Sequence, residues 1–199
     1  MSGPDDTNDR RDQVAAPDPL EVARRVADAL EQAGVPHAIG GAIAYAYWGV
    51  PRATRDVDVK LFVTSGGLDP ALRALRSAGV AVSEEDVRSS AAERGDAKVY
   101  DGDVRIDLFV NSIPFHDAAA RGTKTVDLAG RPAQVLSAED LAVFKLLFFR
   151  SKDTVDLEAL VAVRRDTLDA SYIRQWLVDT VGEDDERVRY WDALWTELG

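Results

Sequence analysis

The sequence predicts an α/β (α+β) protein, with strands and helices interleaved over its first two thirds and helices alone after that. Three observations carry this prediction. Runs rich in β-branched residues, alternating between two faces, occur around 56–63 and 98–110, the pattern of half-buried strands. Helix starts of the acid–proline kind stand between them, at Asp18-Pro19 and Asp69-Pro70. From Ser137 onward, apolar residues recur at helical spacing and no strand pattern returns.

The chain has 199 residues, enough for one domain with a helical appendage. The expected organisation is a disordered tail over 1–17, an α/β core over 18–136 and a helical region over 137–199 packed on that core, with no linker between them. No cysteine is present, which excludes disulfides and thiolate metal sites. His37 and His116 are the two histidines, too few for a histidine-built zinc site. The formal net charge is −11, which argues against broad, non-specific binding to nucleic acid. The acidic N-terminus lacks the apolar core of a signal peptide, and no apolar run approaches a membrane span. A cytoplasmic location is the expectation.

The elements follow in order. Asp18 caps a helix with Pro19 at its first position and Glu21 three residues after the cap; Val22, Val26 and Leu30 recur along it and Gly34 ends it. Val35 to Ile39 is a short strand leading into Gly40-Gly41, with His37 a polar residue of the strand rather than a ligand. Ala42 to Trp48 is a helix, ended by Gly49-Val50-Pro51. Asp56 to Val63 is a strand, and Ser65-Gly66-Gly67 a turn. Asp69-Pro70 opens a helix with Leu72 and Leu75 that stops at Gly79. Val80 to Val82 reads as a short strand and Glu84 to Asp96 as a loop or loose helix. Asp101-Gly102 joins two alternating runs into a hairpin, and Ala129-Gly130 joins Thr123–Leu128 to Arg131–Leu136 in another. Ser137 and Asp140 resemble a capping box before a helix whose buried stripe is Leu141, Phe144, Leu147 and Phe148, with Lys145 at its edge. Helices with Leu157, Leu160 and Val161, with Ile173, Trp176 and Leu177, and with Val188, Trp191, Leu194, Trp195 and Leu198 complete the chain.

The stretch 40–63 carries the chemistry. Side chains alternate along a strand, so Asp56, Asp58, Lys60 and Phe62 share one face, while Val57, Val59, Leu61 and Val63 share the other. Two carboxylates side by side repel each other, and a divalent cation with hard oxygen ligands, Mg²⁺ or Mn²⁺, relieves them. The plainer alternative is a solvated outer face. Gly40-Gly41 before a helix lets backbone approach a ligand, and a helix N-terminus favours phosphate; its alternative is a tight turn. Arg52, Arg55 and Lys60 surround the aspartates, a local excess of positive charge suited to a polyphosphate. In the later hairpin, Val104, Ile106, Leu108 and Val110 share one face, and Asp107 lies on the other with Arg105 and Phe109. Asp107 is the third carboxylate to set beside the pair, unless it is a surface residue on an edge strand.

Ile39-Gly40-Gly41, the spacer 42–55, Asp56-Val57-Asp58-Val59 and the later Ile106-Asp107-Leu108 resemble the DNA polymerase β-like nucleotidyltransferase superfamily. Within it, Gly49 to Asp58 and Leu136 to Leu141, with Phe144 to Leu147, Arg150 to Asp153 and Asp156, look most like the AbiEii-type toxin branch. The resemblance implies a small twisted mixed sheet with flanking helices. It implies that Asp56, Asp58 and Asp107 hold two Mg²⁺ ions (or Mn²⁺) and form the catalytic set, and that Gly40 and Gly41 cradle phosphates. Arg52, Thr54, Lys145 and Lys152 are the other nucleotide-binding candidates. Lys145 matches the branch's helical lysine, and either Asp153 or Asp156 its helical acid; these acids compete with Asp107 for the third carboxylate role. Lys145 as a snorkelling lysine on a packed helix is the alternative.

Two functions follow. The first is an enzyme that moves a nucleoside monophosphate from an NTP to a hydroxyl on tRNA, a protein or a small molecule, in a toxin–antitoxin or phage-defence setting with a cognate toxin or antitoxin as partner. The second is a non-catalytic nucleotide-binding or antitoxin-like module that binds a protein through its C-terminal helices. Exposure of Trp191 and Trp195 would favour the second.

Overall fold

The computed structural model describes residues 17–198; apart from Pro17, the expected tail lies outside the described residues. Six strands form one mixed sheet: β1 (His37–Ile39), β2 (Asp56–Leu61), β3 (Asp96–Asp101), β4 (Val104–Phe109), β5 (Lys124–Leu128) and β6 (Arg131–Val135). Their order is β3-β4-β2-β1-β6-β5. Both outer hairpins are antiparallel, as is β1 with β2, whereas β2 with β4 and β1 with β6 are parallel. Parallel neighbours need a long crossover, and the chain between β2 and β4 supplies it.

That crossover holds α3 (Asp69–Ser77) and α4 (Glu84–Arg94). The remaining helices are α1 (Pro19–Gln32), α2 (Gly41–Trp48), α5 (Phe115–Gly122), α6 (Ala138–Phe148), α7 (Ser151–Arg164), α8 (Ala170–Val181) and α9 (Glu186–Glu197). Asp18 caps α1 by accepting the Leu20 N–H at 3.1 Å, and α1 buries Val22, Val26 and Leu30 against β1, β2, β6 and α3. α2 packs on β2, α6 and α7, and α6 also meets α8 and α9. The Trp48 indole donates to the Leu136 carbonyl at 2.8 Å. Arg164 of α7 donates to the carbonyls of Trp48 and Tyr47 at 3.0 and 3.1 Å. The C-terminal helices are thereby bonded to the element that follows Gly40-Gly41.

The alternation on β2 and β4 is as expected: Val57, Val59, Leu61, Val104, Ile106 and Leu108 are buried, and Asp56, Asp58, Arg105, Asp107 and Phe109 face the other way, partly exposed. Several expectations are corrected. Residues 80–82 form no strand; Ala81 makes a single bridge to Tyr100. The polar stretch after it is a regular helix, α4, with three acids in its first turn and Gly95 closing it at φ 77°; acids at the N-terminus and a left-handed glycine at the end stabilise it where apolar periodicity is weak. Helix α3 is capped at Leu68 rather than Asp69, and the Asp69 carboxylate pairs with Arg88 at 2.6 Å instead. The loop joining β3 to β4 is Gly102-Asp103, with Asp101 paired to Val104.

The stripe expected to bury α6 is also corrected. Leu141, Ala142, Val143, Lys145 and Leu146 are buried, whereas Phe148 is 45% exposed. Trp191 is 1% exposed, stacked on Trp195 with centroids 5.6 Å apart. It is core, which removes the surface that would have favoured a protein-binding module. His37 is buried, with Nδ1 2.8 Å from the Val35 carbonyl, a structural residue of β1. No helix among the described residues is long and apolar enough to cross a membrane.

Candidate active site

One cleft of about 250 Å³ lies between the aspartate-bearing face of the sheet and α2, α6 and the start of α7. The strand register builds its floor. On neighbouring parallel strands Asp58 stands beside Asp107, and Asp56 beside Arg105. Arg105 Nη2 donates to Asp56 Oδ2 at 2.6 Å and Nε to Asp107 Oδ2 at 3.2 Å, so one guanidinium clasps two of the three carboxylates. The other Asp107 oxygen, Oδ1, is buried and has no hydrogen-bond partner. Asp58 has no ion pair among the described residues; burial first, then the neighbouring Asp107 charge, holds its carboxyl above the ordinary value. A carboxylate destabilised in this way would be relieved by a nearby positive charge.

The glycine pair is explained by Asp58. Gly40 caps α2 and donates its N–H to the Asp58 carbonyl at 2.8 Å. Gly41 sits at φ +53°, and a Cβ there would lie 1.7 Å from Asp58 Oδ2. The first close approach these glycines permit is therefore that of the Asp58 carboxylate to the N-terminus of α2.

The basic residues are less free than the sequence suggests. Arg52 donates twice to Asp156, at 3.1 Å each. Lys145, 4% exposed, donates to Asp156 at 2.5 Å, stands 3.7 Å from Asp153 and lies over the Tyr45 ring at 5.2 Å. It is neither at the helix edge nor snorkelling, because Asp156 neutralises it inside. Burial pushes the Asp156 carboxyl up, but the hydrogen bonds and charges of Arg52 and Lys145 together hold it below the ordinary value. Asp153 instead takes the Arg150 backbone N–H at 3.2 Å and the Arg150 Nε at 2.6 Å, capping α7. Thr54 exchanges hydrogen bonds with the Asp56 backbone at 3.0 and 3.2 Å; it lines the cleft, yet its hydroxyl serves to start β2. Lys152 lines the cleft and makes no ion pair among the described residues. Arg55 also lines the mouth.

Sequence reasoning missed four features of this cleft. Arg105 was visible only as a neighbour of Asp107. Arg150 lines the mouth, 4.8 Å over the Phe148 ring. Phe109, Phe144 and Phe148 form an aromatic wall, with Phe109 and Phe148 centroids 5.6 Å apart. Lys60, grouped with Arg52 and Arg55 as a cation around the aspartates, is 3% exposed, and its ammonium has no hydrogen-bond partner. Burial pulls its pKa down to about 7.

Among the described residues, no three carboxylate or imidazole side chains are gathered into a ready metal cage. The donor chemistry still fits a hard divalent cation: Asp58 and Asp107 are adjacent, one Asp107 oxygen is orphaned, and Arg105 draws Asp56 and Asp107 toward itself.

Residues 20–190 match the family described as nucleotidyl transferase of unknown function (DUF2204). No curated protein matches the sequence. Among solved structures, the antibiotic-resistance factor ANT(2″)-Ia is similar in fold, with a TM-score of 0.58 and 17% identity, covering 89% of this chain and 95% of that one. A protein from H. pylori described as a nucleotidyltransferase has a TM-score of 0.51 and 13% identity, covering 90% and 91%.

Proposed function

The chain belongs to the nucleotidyl transferase family DUF2204, and from that premise we propose that it moves a nucleoside monophosphate from an NTP to an acceptor hydroxyl. The observation that carries this reading is the register of β2 and β4, which sets Asp58 beside Asp107 with Asp56 on the same face, at the N-terminus of α2. Asp58 and Asp107, joined by Asp56 when Arg105 lets it go, would hold Mg²⁺ or Mn²⁺. When bound, such ions neutralise triphosphate charge and activate the attacking hydroxyl. The chain's own groups do the rest. The α2 N-terminus, with Gly40 and Gly41, receives phosphate oxygens, and Lys152 and Arg55, which line the cleft, stand at the mouth for the remaining charge. α6 and the start of α7 wall the cleft on one side.

The motifs at 49–58 and 136–156 extend the reading to the AbiEii-type branch, and with it to a toxin–antitoxin or phage-defence role. The 2.5 Å pairing of Lys145 with Asp156 supports Asp156, rather than Asp153, as that branch's helical acid, which leaves Asp107 to the carboxylate set. The net charge of −11 favours a protein side chain or a small molecule over tRNA as acceptor. The test is calorimetric titration of each Mg-NTP into the full chain and into Asp56→Ala/Asp58→Ala. Metal-dependent binding lost in the variant is expected; identical binding by both proteins would sink the reading.

A further inference from the structure

Building on the proposed nucleotidyl transfer, we infer that Arg105 is a resident counter-ion of the carboxylate set: in the nucleotide-free protein its guanidinium holds oxygens that a divalent cation needs, so that metal enters the cleft readily only with nucleotide. Arg105 stands opposite Asp56 across β2 and β4, and two residues before Asp107 on the same face. Its Nη2 donates to Asp56 Oδ2 at 2.6 Å and stands 3.1 Å from Asp107 Oδ2, while Nε donates to that same Asp107 oxygen at 3.2 Å. Among the described residues, Asp107 Oδ1 has no hydrogen-bond partner, and Asp58, beside it in register, makes no ion pair. A lone Mg²⁺ or Mn²⁺ drawn to Asp58 and Asp107 would therefore meet the guanidinium, cation against cation, until Arg105 gives way.

The clasp is not needed to hold the fold together. β2 and β4 are already paired residue for residue from Asp56 to Lys60. Other cations of the cleft do join separate elements: Lys145 of α6, and Arg52 from the loop before β2, both reach Asp156 of α7. The Arg105 side chain is 38% exposed, whereas that of Lys145 is 6% exposed, so Arg105 can swing toward the mouth without opening the core. A guanidinium fork matches phosphate as well as it matches carboxylate. A triphosphate at the α2 N-terminus would offer Arg105 that exchange, and so free Asp56 and Asp107 together.

The experiment is Mn²⁺ binding without nucleotide, read from the electron paramagnetic resonance signal of the free ion, by wild type, Arg105→Met and Arg105→Met/Asp58→Ala. Arg105→Met should bind Mn²⁺ roughly tenfold or more tightly than wild type, a factor ordinary for coupled sites, and Asp58→Ala should remove the gain. Thermal unfolding gives a second reading. Without Arg105 three carboxylates face one another, so Arg105→Met should melt below wild type in EDTA and recover in Mn²⁺. The inference is overturned if Arg105→Met binds Mn²⁺ no more tightly than wild type, or if the gain survives Asp58→Ala, which would put the ion elsewhere. A variant that stays unfolded in both EDTA and Mn²⁺ also overturns it, because the guanidinium would then be structural. Those outcomes leave the nucleotidyltransferase reading standing, since Mg-NTP titration of wild type tests it separately; failure of every Mg-NTP to bind wild type would fell both.

Discussion

Gly41→Ala is the change that the geometry penalises most clearly, and Gly40→Ala is its internal control. At Gly41 the backbone is left-handed, φ +53°, a conformation that costs a residue with a Cβ about 1–2 kcal/mol. The new Cβ would stand 1.7 Å from Asp58 Oδ2, 2.4 Å from Cγ and 2.9 Å from Cβ. No relaxation of the methyl alone clears three atoms at those distances, so the Asp58 side chain must turn away, at a further cost of about 0.5–1.5 kcal/mol if it leaves its rotamer well. Together these give about 2–3 kcal/mol, or roughly 5–10 °C in Tm for a chain of this size. At Gly40 the Cβ would meet Leu136 Cδ1 at 3.3 Å and Asp58 Cβ at 3.7 Å, contacts that a side-chain end can relieve. Its cost is that of a poorer helix cap, at most about 1 kcal/mol.

Thermal unfolding by circular dichroism reads the first difference. Mg-NTP titration, at a temperature where both variants are folded, reads the second. Gly41→Ala should melt well below wild type and lose nucleotide binding, because Asp58 no longer sits at the α2 N-terminus; Gly40→Ala should keep most of both. A Gly41→Ala protein that melts with wild type and binds NTP undiminished would refute the packing argument. One that melts low but still binds would show that Asp58 is dispensable.

Two further changes test the charges around the cleft. His116 accepts the Ser112 N–H at Nδ1, 3.0 Å away, and burial, helped by Lys60, pulls its pKa down to about 3. The folded state therefore resists protonation, and stability is full above the unfolded value of 6.5 and falls by about 1.4 kcal/mol per pH unit below it. Urea unfolding at pH 7 and pH 5 should differ by about 2 kcal/mol more in wild type than in His116→Gln, and an equal difference in both proteins would exclude this ring as the cause. Lys145→Met leaves Asp156 with Arg52 as its remaining partner and should cost less than the about 3–5 kcal/mol of a buried charge left wholly unpaired, read from the denaturation midpoint. Lys145→Met/Asp156→Leu should cost no more than the single change, and a double variant weaker than Lys145→Met would show that Arg52, left without Asp156, carries the larger share of the network.

What the sequence made legible was whatever depends on near neighbours in the chain. The Asp18 cap, the alternation of β2 and β4 and the two outer hairpins need only a few consecutive residues to declare themselves. α4 was obscure because it buries only Val87 and Ala91, too few to set a period. α5 was not foreseen at all: it is short, and Phe115 is held from outside by Phe144 and Trp176, with centroids 5.0 and 5.5 Å away. α6 shows a subtler limit. It is apolar on more than one side, and periodicity does not tell an apolar face that meets protein from one that meets a ligand. Leu141 faces both, but Phe148 was read as core and lies at the cleft lip. Lys145 was misread for the converse reason, since its counter-charge comes from Asp156 on another helix.

The same distant pairings bear on how the proposed site would work. Among the acids that line the cleft, Asp56 and Asp107 share Arg105, and Asp153 holds Arg150. Asp58 alone has no such partner among the described residues. Two of the cations the sequence offers to a triphosphate, Arg52 and Lys145, are already spent on Asp156. An anionic nucleotide arriving by itself would have to take cations away from buried or half-buried carboxylates, and a metal ion by itself would have to displace a guanidinium. Were they to arrive together, Asp56, Asp58 and Asp107 would serve the metal and Arg105, released from Asp56 and Asp107, would be free for phosphate. Each ion would thereby lower the cost of admitting the other, and the expected outcome of paired titrations is a nucleotide affinity that rises with metal concentration, and a metal affinity that rises with nucleotide, by the same factor.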